Sequence, residues 1–350
     1  SGTVGSVHGG LSDDRIVLLG GAVGAVFGDS GQDIMTLDGA TVTGNFDAGD
    51  DADTVNLLSG LADVVTSGAG DDTILLDGAT ITTDVRGAAG EDLITIASGL
   101  VEQDVYLGTL ANTTTDEDTL VMTGGTITRH ILGDRGDDTI TLRGGDIGQD
   151  VLANWGDDTI ILNGTTVGGD IDAGRDSDTI VLLSGSVTDA FGGADSDTIT
   201  LDGATVTGNL RGGDGMDLIT VMSGSVSGDI RLGRDTSTDE DTLLMTGGTV
   251  DGGVLGDRGN DTITLAGGSV ALDVNASWGD DVITLEGASV TGEVQGGLGD
   301  DVFTWSSGTT SGFDGGDGSD IAEITASEYD GSQPLDGGDD VATGDGFVDR

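Results

Sequence analysis

One carboxylate returns along this chain at a nearly constant interval. It stands at Asp14, Asp33, Asp53, Asp72, Asp92, Asp138, Asp158, Asp178, Asp197, Asp217, Asp261, Asp281, Asp301 and Asp320, each opening a phrase of the type Asp-Thr-Ile-Thr-Leu. Asp118 and Asp241 continue the series in a weaker setting, because the step is 26 residues into the first and 24 into the second, against 19 or 20 elsewhere. The turn before each Asp is rich in glycine, as in Gly212-Gly213-Asp214-Gly215-Met216-Asp217. Alternating glycines let a turn enter positive φ and aim its carbonyls inward, while the final short carboxylate reaches the same point from the start of a strand. Six to eight hard oxygens in a flexible shell suit calcium, which accepts carbonyls as readily as carboxylates. A single such turn would be an ordinary Gly-Asp turn; sixteen in register imply a ladder of ions between stacked turns. Without counter-ions, a column of like charges about 4.8 Å apart would repel itself.

Other chemistry lacks its parts. The chain has two histidines, His8 and His130, and neither Lys nor Cys, so nucleophilic triads, thiolate sites, disulfides and histidine-based protease motifs are excluded. Paired Asp residues could act as acid and base on a glycan, but calcium ligation uses them better, and no enzymatic activity is expected. The formal charge of -53, from 64 acidic and 11 basic residues, makes nucleic acid an improbable partner. Eight of the acids are Glu, leaving 64 − 8 = 56 Asp, and their phase with the repeat separates them from the scattered acids of a halophile. Trp155 and Trp278 fall at equivalent places one super-repeat apart, near Arg135, Arg175 and Arg258. They read as cation–π stacks over the turn edge, with a sugar or partner contact as the sharper alternative.

The elements that position these residues follow from the repeat. Counted from the Asp, positions plus two, plus four, plus nine and plus thirteen stay apolar: Ile140, Leu142, Ile147 and Val151 in one coil, Ile199, Leu201, Val206 and Leu210 in another. Alternation in the first pair predicts a strand, and Gly near plus six predicts the break before a second strand. A coil of this kind buries its apolar side only by stacking on its neighbours. The expected fold is therefore all-β: a single right-handed parallel β-solenoid of about 16–17 coils, each of 19–20 residues, with six coils forming a super-repeat of 123–125 residues. Residues 1–324 form the solenoid, and 325–350, where the pattern decays past Pro334, are a degenerate cap or the entry to a further module. No stretch approaches the length of an apolar membrane span, and the start at Ser1 without a signal peptide suggests a mature or excised segment of something longer. The insertions around Asn112–Glu117 and Thr236–Glu240 replace turn glycines with Thr, Ser and acids, so they are expected to bulge outward and alter the sites at Asp118 and Asp241.

The stretches Gly212 to Thr220, Gly296 to Thr304 and Gly315 to Glu323 match G-G-x-G-x-D-x-U-x throughout, and this resembles the calcium-binding nonapeptide of RTX proteins. The resemblance runs from Gly9 to about Glu323 and departs from the family in one respect: the motif occupies one half of each coil, so the ladder should follow one edge only. One-sided coils are also similar to ice-binding segments of calcium-dependent bacterial adhesins. Here, however, the position three before the anchor Asp runs Ser30, Ala69, Arg135, Trp155, Arg175, Asp214, Arg258, Trp278 and Leu298, which is no regular array. The resemblance implies a secreted, extracellular or cell-surface structural segment, the rod of an adhesin, surface layer or matrix fibre, holding up to about 15 calcium ions. It would fold on reaching external calcium, with itself or a surface glycan as partner. A recruitment module of a secreted polysaccharide-modifying enzyme and an ice-binding solenoid are the alternatives.

Overall fold

The computed structural model describes residues 3–109, 116–234, 238–327, 329 and 331–337. The chain is all-β, with no helix among these residues, and forms a parallel β-solenoid of about 16 turns whose coils lie roughly 20 residues apart. Among the described residues no helix is long and apolar enough to cross a membrane. The chain divides into two compact units, residues 1–175 and 176–350.

In the first unit, Thr73–Ile81 pairs in parallel with Thr54–Ala62 on one side and Leu93–Val101 on the other. A second row of shorter strands, Val64–Ala69, Val85–Ala89 and Val105–Gly108, pairs in the same sense. The second unit repeats the scheme. Thr198–Val206 lies between Thr179–Val187 and Leu218–Val226, and Leu210–Asp214 between Ala190–Ala194 and Ile230–Arg231. Each residue pairs with its counterpart one coil away, so identical sequence positions stack into columns.

The chain does not leave the strand at the plus-six glycine, as the sequence suggests it should. Thr198–Val206 continues through Gly203, which has φ +120°, and the register shifts between Leu201 and Thr205. A β-bulge makes this corner, because Gly turns the strand without ending its ladder. A Cβ there would lie 2.5 Å from the carbonyl oxygen of Leu183, so the stacked corners leave no room for one. Only some coils of the first unit show the expected break, as between Thr119–Met122 and Thr126–Ile127.

The four expected inward positions are buried in both units: Ile140, Leu142, Ile147 and Val151 in the first, Ile199, Leu201, Val206 and Leu210 in the second. Two further rows of small side chains complete the core. At plus seven stand Ala40 and Ala79 in the first unit and Ala204 and Ala288 in the second; five before the Asp stand Ala48, Ala153 and Ala173, then Ala276. Each large aliphatic contributes about 1.5–3 kcal/mol of burial, while the Ala and Gly rows let the walls approach closely enough for their carbonyls to meet the carboxylates.

Towards its C-terminal end the second unit changes filling. Phe303, Trp305 and Phe313 occupy core positions held by aliphatics in the preceding coil, at Ile283, Leu285 and Val294; Phe303 stacks on Phe313 at 4.6 Å, and Tyr329 meets the edge of Trp305 at 5.9 Å. Beyond them Leu335–Asp336 pairs in parallel with Phe313–Asp314. The weak repeat at Gly338 lies outside the described residues.

Candidate metal centre: a ladder of buried aspartates

The turn before each anchor Asp has the backbone form its glycines suggest. Residues four and two before the Asp have positive φ in most coils: Gly68 (+115°) and Gly70 (+126°) before Asp72, Gly213 (+137°) and Gly215 (+124°) before Asp217. Where Gly is missing, Asp29, Asp51, Asn154, Asp176 and Asp195 take the same conformation. Asn and Asp tolerate this region better than other side chains. A turn alternating in this way places the anchor carboxylate inside the coil.

Every anchor from Asp33 to Asp320 is buried, at 0–3% exposure, and they form a ladder. In the first unit the backbone N–H of Asp14 donates to Asp33 Oδ1 at 2.7 Å, and the pattern passes through Asp53, Asp72, Asp92, Asp118 and Asp138 to Asp158. In the second unit it runs from Asp178 through Asp197, Asp217, Asp241, Asp261, Asp281 and Asp301 to Asp320, all at 2.7–2.9 Å. One oxygen of each carboxylate is thus committed to the coil before it.

In ten of the anchors the other oxygen is left over. Oδ2 of Asp33, Asp53, Asp72, Asp92 and Asp118 in the first unit, and of Asp217, Asp241, Asp261, Asp281 and Asp301 in the second, is buried without a hydrogen-bond partner. Leaving one buried acceptor unsatisfied costs about 1–3 kcal/mol, and more if it is charged. A column of ten is not a tolerable defect in a folded chain. The oxygens face a prepared space. A Cβ built on Gly212 would lie 2.2 Å from the Leu232 carbonyl oxygen and 2.3 Å from Asp217 Oδ2; one on Gly28 would lie 2.1 Å from the Ala48 carbonyl oxygen and 2.3 Å from Asp33 Oδ2. Carbonyl and carboxylate oxygens from successive coils therefore converge beside the glycine, a donor set that fits calcium.

The electrostatics agree. Burial first, and then neighbouring carboxylates, push Asp92, Asp118, Asp217 and Asp261 up to about 8, against the lowering effect of the donated N–H. Asp53, Asp138, Asp241 and Asp301 rise to about 7 and Asp72 and Asp281 to about 6, again chiefly through burial. These are carboxylates that need either a proton or a cation. Arginine supplies its charge elsewhere, pairing with Asp84, Asp104, Asp214 and Asp229.

A second column, missed in the sequence, shows the contrast. It lies on the opposite edge, eleven or twelve residues after the anchor, and its bonds run the other way. Asp104 N–H donates to Asp84 Oδ1, His130 N–H to Asp104 Oδ1, Asp150 N–H to His130 Nδ1 and Asp170 N–H to Asp150 Oδ1, at 2.9–3.2 Å. In the second unit Asp229 N–H donates to Asn209 Oδ1 and Gly253 N–H to Asp229 Oδ1, both at 3.0 Å. Asn and His serve as well as Asp here, because the position needs an acceptor and not a charge. Where the acid is kept, Arg86 pairs with Asp84 at 2.6 Å and Arg129 with Asp104 at 3.2 Å. The recurrence of Asp, Asn or His at plus twelve was the available signal.

Of the two insertions, residues 112–115 and 236–237 lie outside the described residues. Their anchors keep the regular hydrogen bonding of the ladder. Asp118 and Asp241 hold the regular place in the ladder, each accepting the preceding anchor's N–H and donating to the next. Hydrogen bonding from both neighbouring coils fixes the anchor whatever length of chain precedes it. Trp155 is sandwiched between Arg135, 3.9 Å from the ring centroid, and Arg175 at 5.0 Å; Arg258 covers Trp278 at 3.9 Å.

No protein-family model and no curated protein sequence matches the chain. One solved structure does. It is described as a hyperactive, Ca2+-dependent, beta-helical antifreeze protein from an Antarctic bacterium, and it is 23% identical, with a TM-score of 0.55 over 75% of this chain and 84% of that one. At that identity the likeness is one of fold.

A pair of substitutions separates the ladder from the outer wall. Asp217→Ala is expected to lower the calcium bound per chain by one or two ions and to cost about 1–3 kcal/mol. Thr220→Ala, on the outward side of the same strand between buried Ile219 and Val221, should leave both unchanged. Equal effects in a calcium-binding assay would place the ion on the wrong face of the strand.

Proposed function

We propose that this chain is a calcium-binding structural repeat, a scaffold segment of a bacterial surface adhesin, surface layer or extracellular matrix fibre that folds when it meets external calcium. The column of buried, unpartnered Oδ2 atoms carries the reading. Calcium fits a ladder in which ten anchors offer a spare carboxylate oxygen and carbonyls of the next coil stand close by, as at Asp33 and Asp217. At cytosolic calcium the charge of -53 keeps the chain expanded, which favours export; at millimolar calcium the ladder is neutralised and the coils stack. The remaining acids keep the folded segment soluble. The shared fold with a protein described as Ca2+-dependent supports the calcium reading. Ice binding gains less, since the column three before the anchor mixes Arg135, Trp155, Asp214 and Leu298.

Far-ultraviolet circular dichroism in excess chelator at low salt and pH 8 should show mostly coil. The β signal should return cooperatively as calcium is added. Full β signal in the absence of divalent ions would overturn the proposal.

A further inference from the structure

The ladder is not uniform. In most coils the residue four before the anchor takes positive φ and offers no carboxylate to the interior: Gly68, Gly174, Gly213 and Gly297 are examples. Before Asp138 that residue is Asp134, which does not take positive φ and is itself 1% exposed. Its side chain turns back into the coil. Asp134 Oδ2 accepts the Thr109 N–H at 3.1 Å and Oδ1 the Gly136 N–H at 3.4 Å, while its own N–H donates to Asp138 Oδ2 at 3.2 Å. The preceding coil makes room for it with Gly108, where a Cβ would lie 2.1 Å from Asp134 Oδ2.

Carboxylate oxygens of Asp118, Asp134 and Asp138 consequently gather within 4.8 Å of one another, all three residues being buried. Among the described residues this is the one group of three potential ligands so placed. Asp118 points to what belongs there: the residue is 1% exposed and its Oδ2 is buried with no hydrogen-bond partner. Asp257, one super-repeat on, has φ +77° and joins no such group, so sequence equivalence alone does not create the arrangement.

We infer that Asp118, Asp134 and Asp138 form a distinct three-carboxylate calcium site, which holds its ion more tightly than the ladder sites and is the last to empty. Three formal negative charges around one divalent ion exceed what a regular turn supplies, and affinity in oxygen sites rises with the count of charged ligands. Beside an insertion that removes the usual turn glycines, a strongly held ion fixes the coil that is least able to form unaided. Folding from low calcium would then start in this part of the first unit and spread by stacking.

The inference takes the ion's identity from the proposed calcium ladder, and one experiment separates the two. The protein is loaded in millimolar calcium, desalted, and stepped through chelators of increasing affinity, with bound calcium per chain read by atomic emission. The wild type should retain about one ion after the others have gone, at a free calcium at least tenfold lower. Asp134→Asn and Asp134→Gly should lose that last ion and keep the rest, whereas Asp257→Asn should behave as wild type. Glycine is the residue that other coils carry at this turn position, so Asp134→Gly is compatible with the fold. Loss of all ions in one step from the wild type, or retention of the last ion by both Asp134 variants, would overturn the inference. So would failure of both variants to gain β signal in saturating calcium, since the rest of the ladder is unchanged. A wild type that loads only about one ion in total would instead reject the ladder and leave this site standing.

Discussion

Acid should partly replace calcium. In chelator at pH 8 the chain is expected to be mostly coil, and lowering the same metal-free sample towards pH 5 should restore β signal. In the folded chain, burial raises ten of the ladder carboxylates to between about 6 and about 8, as at Asp72, Asp53 and Asp92. In the unfolded chain an Asp titrates near 3.9. Between those limits the folded state holds more protons than the unfolded one, so falling pH favours folding. The contribution is complete below about pH 4 and is lost as pH rises through the folded values of about 6 to 8. Physically, a proton on the ladder removes a repulsion of roughly 3 kcal/mol between neighbours at an effective dielectric near 20. Calcium does the same at neutral pH, so the two compete for the folded ladder: below pH 6 less calcium should be needed for half-folding, while more should be needed to half-saturate the folded chain. A metal-free chain whose β signal is equal at pH 8 and pH 5, or falls on acidification, would contradict the electrostatic assignment.

The second large effect lies in the core. Phe303→Ala is expected to destabilise the calcium-loaded protein by about 3–5 kcal/mol, read as a lower urea midpoint. Phe303 is fully buried, stacks on Phe313 at 4.6 Å and lies 6.4 Å from Trp305, so truncation opens a cavity that the two remaining rings cannot refill by small shifts. Phe303→Leu should cost much less, because Ile and Leu fill the same row in other coils, as at Ile283 and Ile263. Calcium bound per chain should be unchanged in both variants under conditions where they fold. A midpoint shift within about 1 kcal/mol for Phe303→Ala would mean that these rings pack loosely and do not close the core.

What the sequence made legible follows from how each feature is encoded. The period, the anchor Asp column and the four aliphatic rows are written in side chains that only those positions can use, so Ile140 and Leu142 identify the strand and its inner face. The rows at Ala40 and Ala48 were not legible, because a methyl group buried by close approach carries little hydropathy contrast. Gly203 was read as a break because glycine serves turns and bulges alike; only the stacking of corner on corner decides between them. The opposite-edge ladder escaped because its chemistry is degenerate: Asp104, His130 and Asn209 share an acceptor and no charge. The regular placement of Asp118 and Asp241 was hidden for another reason. The glycines before them are lost, yet bonds from the coils above and below hold the anchors in place. The group around Asp134 depends on a side chain turning inward into space left by Gly108, which no spacing rule reveals.

Bound calcium per chain after equilibrium dialysis at millimolar calcium tests the ladder most directly. With one ion between successive turns, on the order of fifteen ions per chain are expected, and the count should fall together with the β signal as calcium is withdrawn. A chain that keeps its full β signal at pH 8 while holding no calcium would contradict the ladder outright.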